Sequence, residues 1–171
     1  MLRLAKAFLD IALWRKSPAQ LPASLFLLGI VAFAVAALEV LGAFLPPNSS
    51  DRIFTRIALS VGLPLAFAWV VLAIARHGQR FLQTGIALLG VGVLAELVLY
   101  PLGSLLHVVG SDRPESMPLT LLLFAGLIWY LMACAYIWRA ALDSGLGLGL
   151  AISVAYLLIS MAVEQHLLPD V

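Results

Sequence analysis

Residues Pro22–Phe44 read PASLFLLGIVAFAVAALEVLGAF, which is an apolar stretch with a single charged residue. An α-helix needs about 20 mostly apolar residues to cross a hydrocarbon core of about 30 Å, and this stretch is long enough. Four more stretches of similar length follow after short polar breaks, at 53–75, 82–107, 118–142 and 146–168. The sequence therefore predicts an all-α integral membrane bundle of five transmembrane helices.

The composition favours the same class. Of the 171 residues, 63% are hydrophobic and only 11% are charged, whereas soluble domains carry about 25% charged residues. The net charge of +1 leaves no basic surface for nucleic acid, so we predict the lipid bilayer and not a nucleic acid as the surroundings. The single cysteine, Cys134, excludes an intramolecular disulfide and a cysteine-rich metal site, and no cofactor is predicted.

Residues 1–21 differ from the rest and are predicted to form an amphipathic cytoplasmic leader before a single five-helix domain at 22–171. Arg3, Lys6 and Asp10 share one helical face, and apolar side chains cover most of the remainder. Such a helix is typical of the headgroup layer. Two interpretations are open, a docking helix or an ordinary lead-in that orients the first span.

The basic residues predict an orientation. With the N-terminus in the cytoplasm, seven basic residues lie on the cytoplasmic side and three on the other, as the positive-inside rule requires. Five spans then place the C-terminus in the periplasm, and the alanine, leucine and arginine usage indicates the inner membrane of a bacterium. The cytoplasmic set is Arg3, Lys6, Arg15, Lys16, Arg76, Arg80 and Arg139, and the opposite set is Arg52, Arg56 and Arg113.

Two glutamates within spans are the main candidates for chemistry. A carboxylate in the apolar phase costs roughly 2.5–3.5 kcal/mol on insertion scales and usually faces the bundle interior. At 1.5 Å per residue, Glu39 and Glu96 lie at similar depth, about 25 and 21 Å from the cytoplasmic ends of their spans. A functional interpretation is proton relay, cation binding or substrate recognition, and a structural one is a hydrogen-bonded pair that holds helices together.

Two tyrosines complete this candidate intramembrane polar site. Tyr100 follows Glu96 by four residues and shares its face, and Pro101 then predicts a kink or an end of the third span. Tyr130, near the middle of the fourth span, needs a hydrogen-bond partner, for which Glu96 or a backbone carbonyl is expected.

Two further residue sets suggest less specific roles. Gly145 and Gly149 form a small-residue pair at the start of the fifth span, which predicts close helix packing within the chain or oligomerisation. His107, Glu164 and His166 are weak metal candidates, because two histidines and a carboxylate at the outer face are a possible ligand set. No metal site is predicted beyond them.

The layout resembles the bacterial members of the Yip1-like family of five-span membrane proteins. The likeness rests on the leader Leu2–Lys16, the break Ser17–Pro22, five closely spaced spans and the glycine-rich start of the fifth. It implies a non-enzymatic membrane protein that binds other membrane components. The Asp-Leu-Tyr-Gly-Pro type of motif of eukaryotic members is missing, so no functional residue is carried over.

Three functional hypotheses follow. The first is a non-enzymatic accessory or scaffold subunit, with a membrane-protein partner or a second copy bound through the leader or the fifth span. The second is a small transporter or channel component that uses Glu39 and Glu96. The third is a lipid-handling enzyme at the outer interface.

Overall fold

The computed structural model describes residues 2–44, 52–110 and 116–167, and within them the side chains from residue 6 onward. These ranges hold six α-helices and no strand. The helices are α1 (Leu2–Ala12), α2 (Leu25–Gly42), α3 (Ile53–Ile74), α4 (Phe81–Val109), α5 (Met117–Leu142) and α6 (Leu146–Leu167). Helices α2 to α6 are each long and apolar enough to cross a membrane, so the chain has the make-up of a multi-pass membrane protein.

The bounds of the five long helices agree with the predicted spans to within three residues. The largest difference is at the start of the first span, where the prediction begins at Pro22 and α2 begins at Leu25. Ser24 caps this helix, since its hydroxyl accepts a hydrogen bond from the Leu27 N–H, and that fixes the later start. The predicted end of the fifth span, at residue 168, lies outside the described residues.

The third span does not end at Pro101. Helix α4 continues through Pro101 to Val109, and α3 likewise contains Pro64. In apolar surroundings, neighbouring helices and side chains can re-satisfy the backbone groups that a proline frees.

Consecutive long helices pack against each other, as their short connections require. Helix α6 also contacts α3, and α2 packs against both α3 and α4. We call the end of the bundle that carries the α3–α4 and α5–α6 connections the Arg80 end. The opposite end, where α2 and α6 finish, is the Glu164 end.

The leader packs against the bundle. Helix α1 contacts α4 and α5, and Ile11 and Ala12 are completely covered there. The Phe8 ring lies on Gly90 of α4, and the Trp129 indole N–H of α5 donates to the Ala12 carbonyl at 3.1 Å. Gly90 is about 14 Å from the start of α4 at 1.5 Å per residue. Helix α1 therefore covers the sides of α4 and α5 at a distance from the Arg80 end, towards the middle of the bundle.

Two polar side chains fasten the Arg80 end. The Gln83 amide of α4 donates to the Ala19 and Leu21 carbonyls, which ties the chain between α1 and α2 to the bundle. The Arg80 guanidinium pairs with the Asp143 carboxylate at 2.7 Å and donates to two carbonyls at the end of α5. The chain between α1 and α2, Arg80 and Asp143 thus lie at the same end of the molecule.

Candidate functional site

A cavity of about 270 Å³ lies among the five long helices. All five contribute to its wall, and three of them bring a carboxylate: Glu39 from α2, Glu96 from α4 and Glu164 from α6. The cavity is partly open and not an enclosed void. The four predicted polar residues all line it: Glu39, Glu96, Tyr100 and Tyr130.

The polar wall follows one face of α6. Ser153, Tyr156, Ser160 and Glu164 line the cavity, and their spacing of three or four residues places them one above another. At 1.5 Å per residue this stripe is about 16 Å long. The sequence contains this signal, since Ser153, Tyr156 and Ser160 recur among apolar residues at helical spacing, but these three residues are not among the predicted site residues.

Glu39 is buried, with 8% of its surface exposed, and it contacts Ser60 of α3. The Ser60 hydroxyl lies within hydrogen-bonding distance of the Glu39 carboxyl and also of the Arg56 carbonyl, the latter at 2.6 Å. A hydroxyl has one proton to donate. Both contacts are hydrogen bonds at the same time when Glu39 is protonated. The Glu39 carboxyl then donates to the Ser60 hydroxyl, and the Ser60 hydroxyl donates to the Arg56 carbonyl. The geometry thus provides a place for a proton on Glu39.

Glu96 and Tyr100 approach Glu39 from α4. The two glutamates are close enough to interact electrostatically, and the Tyr100 hydroxyl is a hydrogen-bond partner for Glu39. Gly42, one turn after Glu39, allows this approach, because a Cβ there would lie 2.9 Å from the Tyr100 ring. Among the described residues, Glu96 Oε2 is buried and has no hydrogen-bond partner. An atom of this kind is available to a proton or to a bound cation.

The expected partner of Tyr130 differs from the one observed. Its hydroxyl lies beside the thiol of Cys134, one turn further along α5, and not on Glu96 or on a backbone carbonyl. Helical spacing of four residues brings the two side chains together on the cavity face.

Aromatic rings close the part of the cavity nearest the Arg80 end. The Phe67 ring lies between Trp138 and Tyr156, with ring centroids 5.8 Å and 5.3 Å away. The Trp138 contact is edge-to-face, at an interplanar angle of 83°. All three rings belong to the cavity wall, so the cavity is aromatic at this end and carries Glu39 and Glu164 towards the other.

Glu164 does not join the two histidines with which it was considered. It lines the cavity, where it interacts with Arg56 and Glu39, because its helical position continues the α6 stripe. The part of the chain that the structure describes contains no group of three His, Cys, Asp or Glu side chains able to hold a metal ion. His107, Glu164 and His166 therefore do not assemble into a ligand set.

The glycine pair of the fifth span has two different surroundings. Gly149 lies against the backbone of α5, at the Ala135 carbonyl and the Arg139 N–H, whereas a Cβ at Gly145 would meet nothing within 4 Å. Only Gly149 therefore serves the close packing of α6 on α5.

The site combines two carboxylates within the bundle, a third on Glu164 that is also exposed at the surface, several hydroxyls and an aromatic end. Such a lining can bind a small solute and can bind or release protons. Comparisons of the chain with protein-family models, curated proteins and solved structures find no significant match.

Proposed function

We propose that the protein is a small transporter or channel component that binds its solute in the central cavity, beside Glu39 and Glu96. The observation that carries this proposal is the cavity itself, about 270 Å³ in volume, with carboxylates from three helices in its wall. Small-molecule sites are concave, mostly apolar and fitted with a few polar groups, usually with volumes of about 300–1,000 Å³. The cavity has this character and lies at the lower edge of that range.

The cost of the carboxylates supports a functional interpretation. Ionisable residues inside membranes are expensive and usually mark solute or proton pathways. A pair that served only to hold helices together would need each oxygen to be bonded, and Glu96 Oε2 has no partner among the described residues. A bound solute or proton supplies what this atom lacks.

The proposed location is the inner membrane of a bacterium, with the N-terminus in the cytoplasm and the C-terminus in the periplasm. Its support is the charge distribution, because the Arg80 end carries Arg76, Arg80 and Arg139, and Gln83 ties the chain between α1 and α2 to that end. In this orientation the aromatic part of the cavity is nearer the cytoplasm and Glu164 is nearer the periplasm.

A role as a scaffold or accessory subunit, which the resemblance to the Yip1-like family implies, is the second candidate. The observation in its favour is the exposed apolar face of α6, with Val154, Leu158 and Met161. Lipid covers such a face equally well, which makes this support weaker than that of the cavity. The leader is less suitable as a docking surface, since Ile11 and Ala12 are already packed on the bundle.

A substitution that fills the cavity tests the proposed function. Gly92 of α4 lines it, and a Cβ at this position meets nothing within 4 Å, so Gly92→Leu places its side chain in the empty space. Gly103→Leu is the matched control, because Gly103 is in the same helix, is equally unobstructed and is not part of the cavity wall.

The measurement is thermal unfolding of the full chain in nanodiscs with a benzyl-substituted cation, anion or neutral compound. A ligand at about 100 times its Kd stabilises a protein by about 2.7 kcal/mol. We expect at least one class to stabilise the wild type and Gly103→Leu but not Gly92→Leu. Stabilisation by none of the classes, or equal stabilisation of both variants, would refute the proposed function.

A further inference from the structure

We propose that the cavity takes an organic cation with one charged head and an apolar, ring-bearing body, and that the cation replaces a proton held by the Glu39–Glu96 pair. This inference rests on the proposed function and adds the class of solute to it. It follows from the sign of the charges, from their position along the cavity and from the hydrogen bonds of Glu39.

The charges of the wall select a cation. Glu39, Glu96 and Glu164 line the cavity, whereas Arg56, a basic group close to it, lies outside the lining and faces Glu164 and Tyr100. An organic anion would meet like charge from three helices. A divalent metal ion needs several oxygen ligands in a close shell, and within the described ranges no such group of carboxylates or histidines exists.

The distribution of the groups selects the shape of the cation. Glu39 and Glu164 are each three residues from the end of their helices at the Glu164 end, and Glu96 is about 22 Å along α4 from its start at Phe81. Phe67 and Trp138 lie in the halves of their helices that are nearer the Arg80 end. A charged head therefore fits among the carboxylates while an apolar body lies against the rings. Aromatic faces also attract cations, by about 0.5–2 kcal/mol.

The proton follows from the hydrogen bonds of Glu39. The Ser60 hydroxyl makes both of its hydrogen bonds when Glu39 is protonated. Glu96 Oε2, which has no hydrogen-bond partner among the described residues, is an alternative site for this proton. A cation that enters brings one positive charge, and the departure of one proton to the solvent keeps the charge of the cavity unchanged. Besides the three glutamates, the titratable and charged groups that face this pair are Arg56 from α3, Tyr100 from α4, Tyr130 and Cys134 from α5 and Tyr156 from α6.

Radiolabelled benzyltrimethylammonium tests the inference, because its quaternary nitrogen has no proton of its own and its body is one aromatic ring. Binding to the full chain in nanodiscs is measured by scintillation proximity, with the unlabelled parent cation and three other unlabelled compounds as competitors. Tetramethylammonium lacks the ring, neopentylbenzene has the same shape without the charge, and benzenesulfonate has the opposite charge. We expect competition by the unlabelled parent cation, about tenfold weaker competition by tetramethylammonium, and none by the other two.

Substitutions of the wall provide the second measurement. Glu39→Gln and Glu96→Gln keep the shape of the side chain and should each weaken cation binding at least about tenfold, while Asp143→Asn, at the Arg80 end, should leave it unchanged. Phe67→Leu should weaken benzyltrimethylammonium binding about two- to fivefold and leave tetramethylammonium binding unchanged. In weakly buffered solution with a pH dye, binding to the wild type should release about one proton per cation.

The outcomes separate this inference from the proposed function. Displacement of the cation by neopentylbenzene or benzenesulfonate, unchanged binding in both glutamine variants, or binding without proton release would overturn it. If neopentylbenzene or benzenesulfonate binds and Gly92→Leu abolishes that binding, the cavity remains a solute site of another class. If the cation still binds to Gly92→Leu, the binding site is not the cavity, and both proposals are refuted.

Discussion

The Ser60 hydroxyl of α3 and the Glu39 carboxyl of α2 form a hydrogen bond in the wall of the cavity, where only 8% of the Glu39 surface is exposed. This contact joins two neighbouring long helices that both contribute to the cavity wall. It also fixes the Glu39 carboxyl beside Tyr100 and Glu96. The cavity's most buried carboxylate is therefore positioned by a side chain from a neighbouring helix.

Ser60→Ala removes this partner and should destabilise the bundle by about 0.6 kcal/mol, the average for hydrogen bonds between membrane helices, and by no more than about 1.7 kcal/mol. Unfolding of the purified protein in mixed micelles of increasing SDS content measures the loss. Ser160→Ala is the control, since the Ser160 hydroxyl lines the same cavity but bonds the Leu157 carbonyl of its own helix. Equal losses in the two variants would contradict a specific role for the Ser60–Glu39 contact.

Gly149→Ala should loosen the packing of α6 on α5. A Cβ at Gly149 would collide with the Ala135 carbonyl and lie 3.2 Å from the Arg139 nitrogen, both of which are backbone atoms and cannot rotate away. We expect a loss of about 1–3 kcal/mol in the same unfolding measurement, as for other overpacked sites.

Gly147→Ala serves as the control for that change. Gly147 is in the same helix, and a Cβ there meets nothing within 4 Å. Because alanine is the better helix former by about 1 kcal/mol, this variant should be as stable as the wild type or slightly more so. A stable Gly149→Ala protein would show that α5 and α6 can separate without cost.

The fold follows from the sequence because hydrocarbon thickness sets helix length directly. The second span was predicted at 53–75 and α3 is Ile53–Ile74, and the fifth was predicted to begin at 146, where α6 begins. The start of α2 was missed because the choice between Pro22 and Ser24 depends on cap geometry, which hydropathy does not contain.

The site follows from the sequence less completely. Glu39 and Glu96 were expected because an intramembrane carboxylate is costly wherever it lies. Glu164 is predicted at the outer surface and is indeed exposed, but only the rotation of α6 determines that it also lines the cavity. The leader was expected in the headgroup layer, since an apolar face has the same pattern whether it meets lipid or other helices; the structure packs it on α4 and α5.

Trp129→Phe should weaken the attachment of helix α1 to the bundle. Phenylalanine keeps an aromatic ring but lacks the indole N–H that donates to the Ala12 carbonyl at the end of α1. With a lost hydrogen bond of about 0.5–1.5 kcal/mol, trypsin cleavage after Arg15 and Lys16 should become about two- to tenfold faster. Cleavage is followed by mass spectrometry of the full chain in nanodiscs.

Trp69→Phe is the matched control for the leader experiment. Trp69 of α3 is 62% exposed, so the loss of its indole N–H should leave the cleavage rate unchanged. Equal rates for Trp129→Phe and the wild type would contradict the assignment of this hydrogen bond as the tether of α1.

The ion pair at the Arg80 end should make stability depend on pH in a defined direction. The Arg80 guanidinium, bonded to Asp143 at 2.7 Å, lowers the pKa of that carboxyl below its ordinary value of 3.8. A carboxyl whose pKa is lower in the folded state stabilises that state above the ordinary pKa, and the stabilisation is lost as the pH falls through the lowered value. Wild type and Asp143→Asn should therefore differ in Tm at neutral pH and converge well below pH 3.8.

Arg80→Ala should cost more stability than Asp143→Asn, because the guanidinium also donates to the Ala140 and Ala141 carbonyls, both at 3.1 Å. The side chains of the pair are 39% and 66% exposed, so 1 M salt should reduce the effect of Asp143→Asn and leave most of the additional Arg80→Ala effect. Arg139→Ala removes an exposed positive charge from the same end and controls for net charge. Equal Tm changes for Arg80→Ala and Arg139→Ala would show that the charge alone matters, and that the two carbonyl bonds do not hold the end of α5.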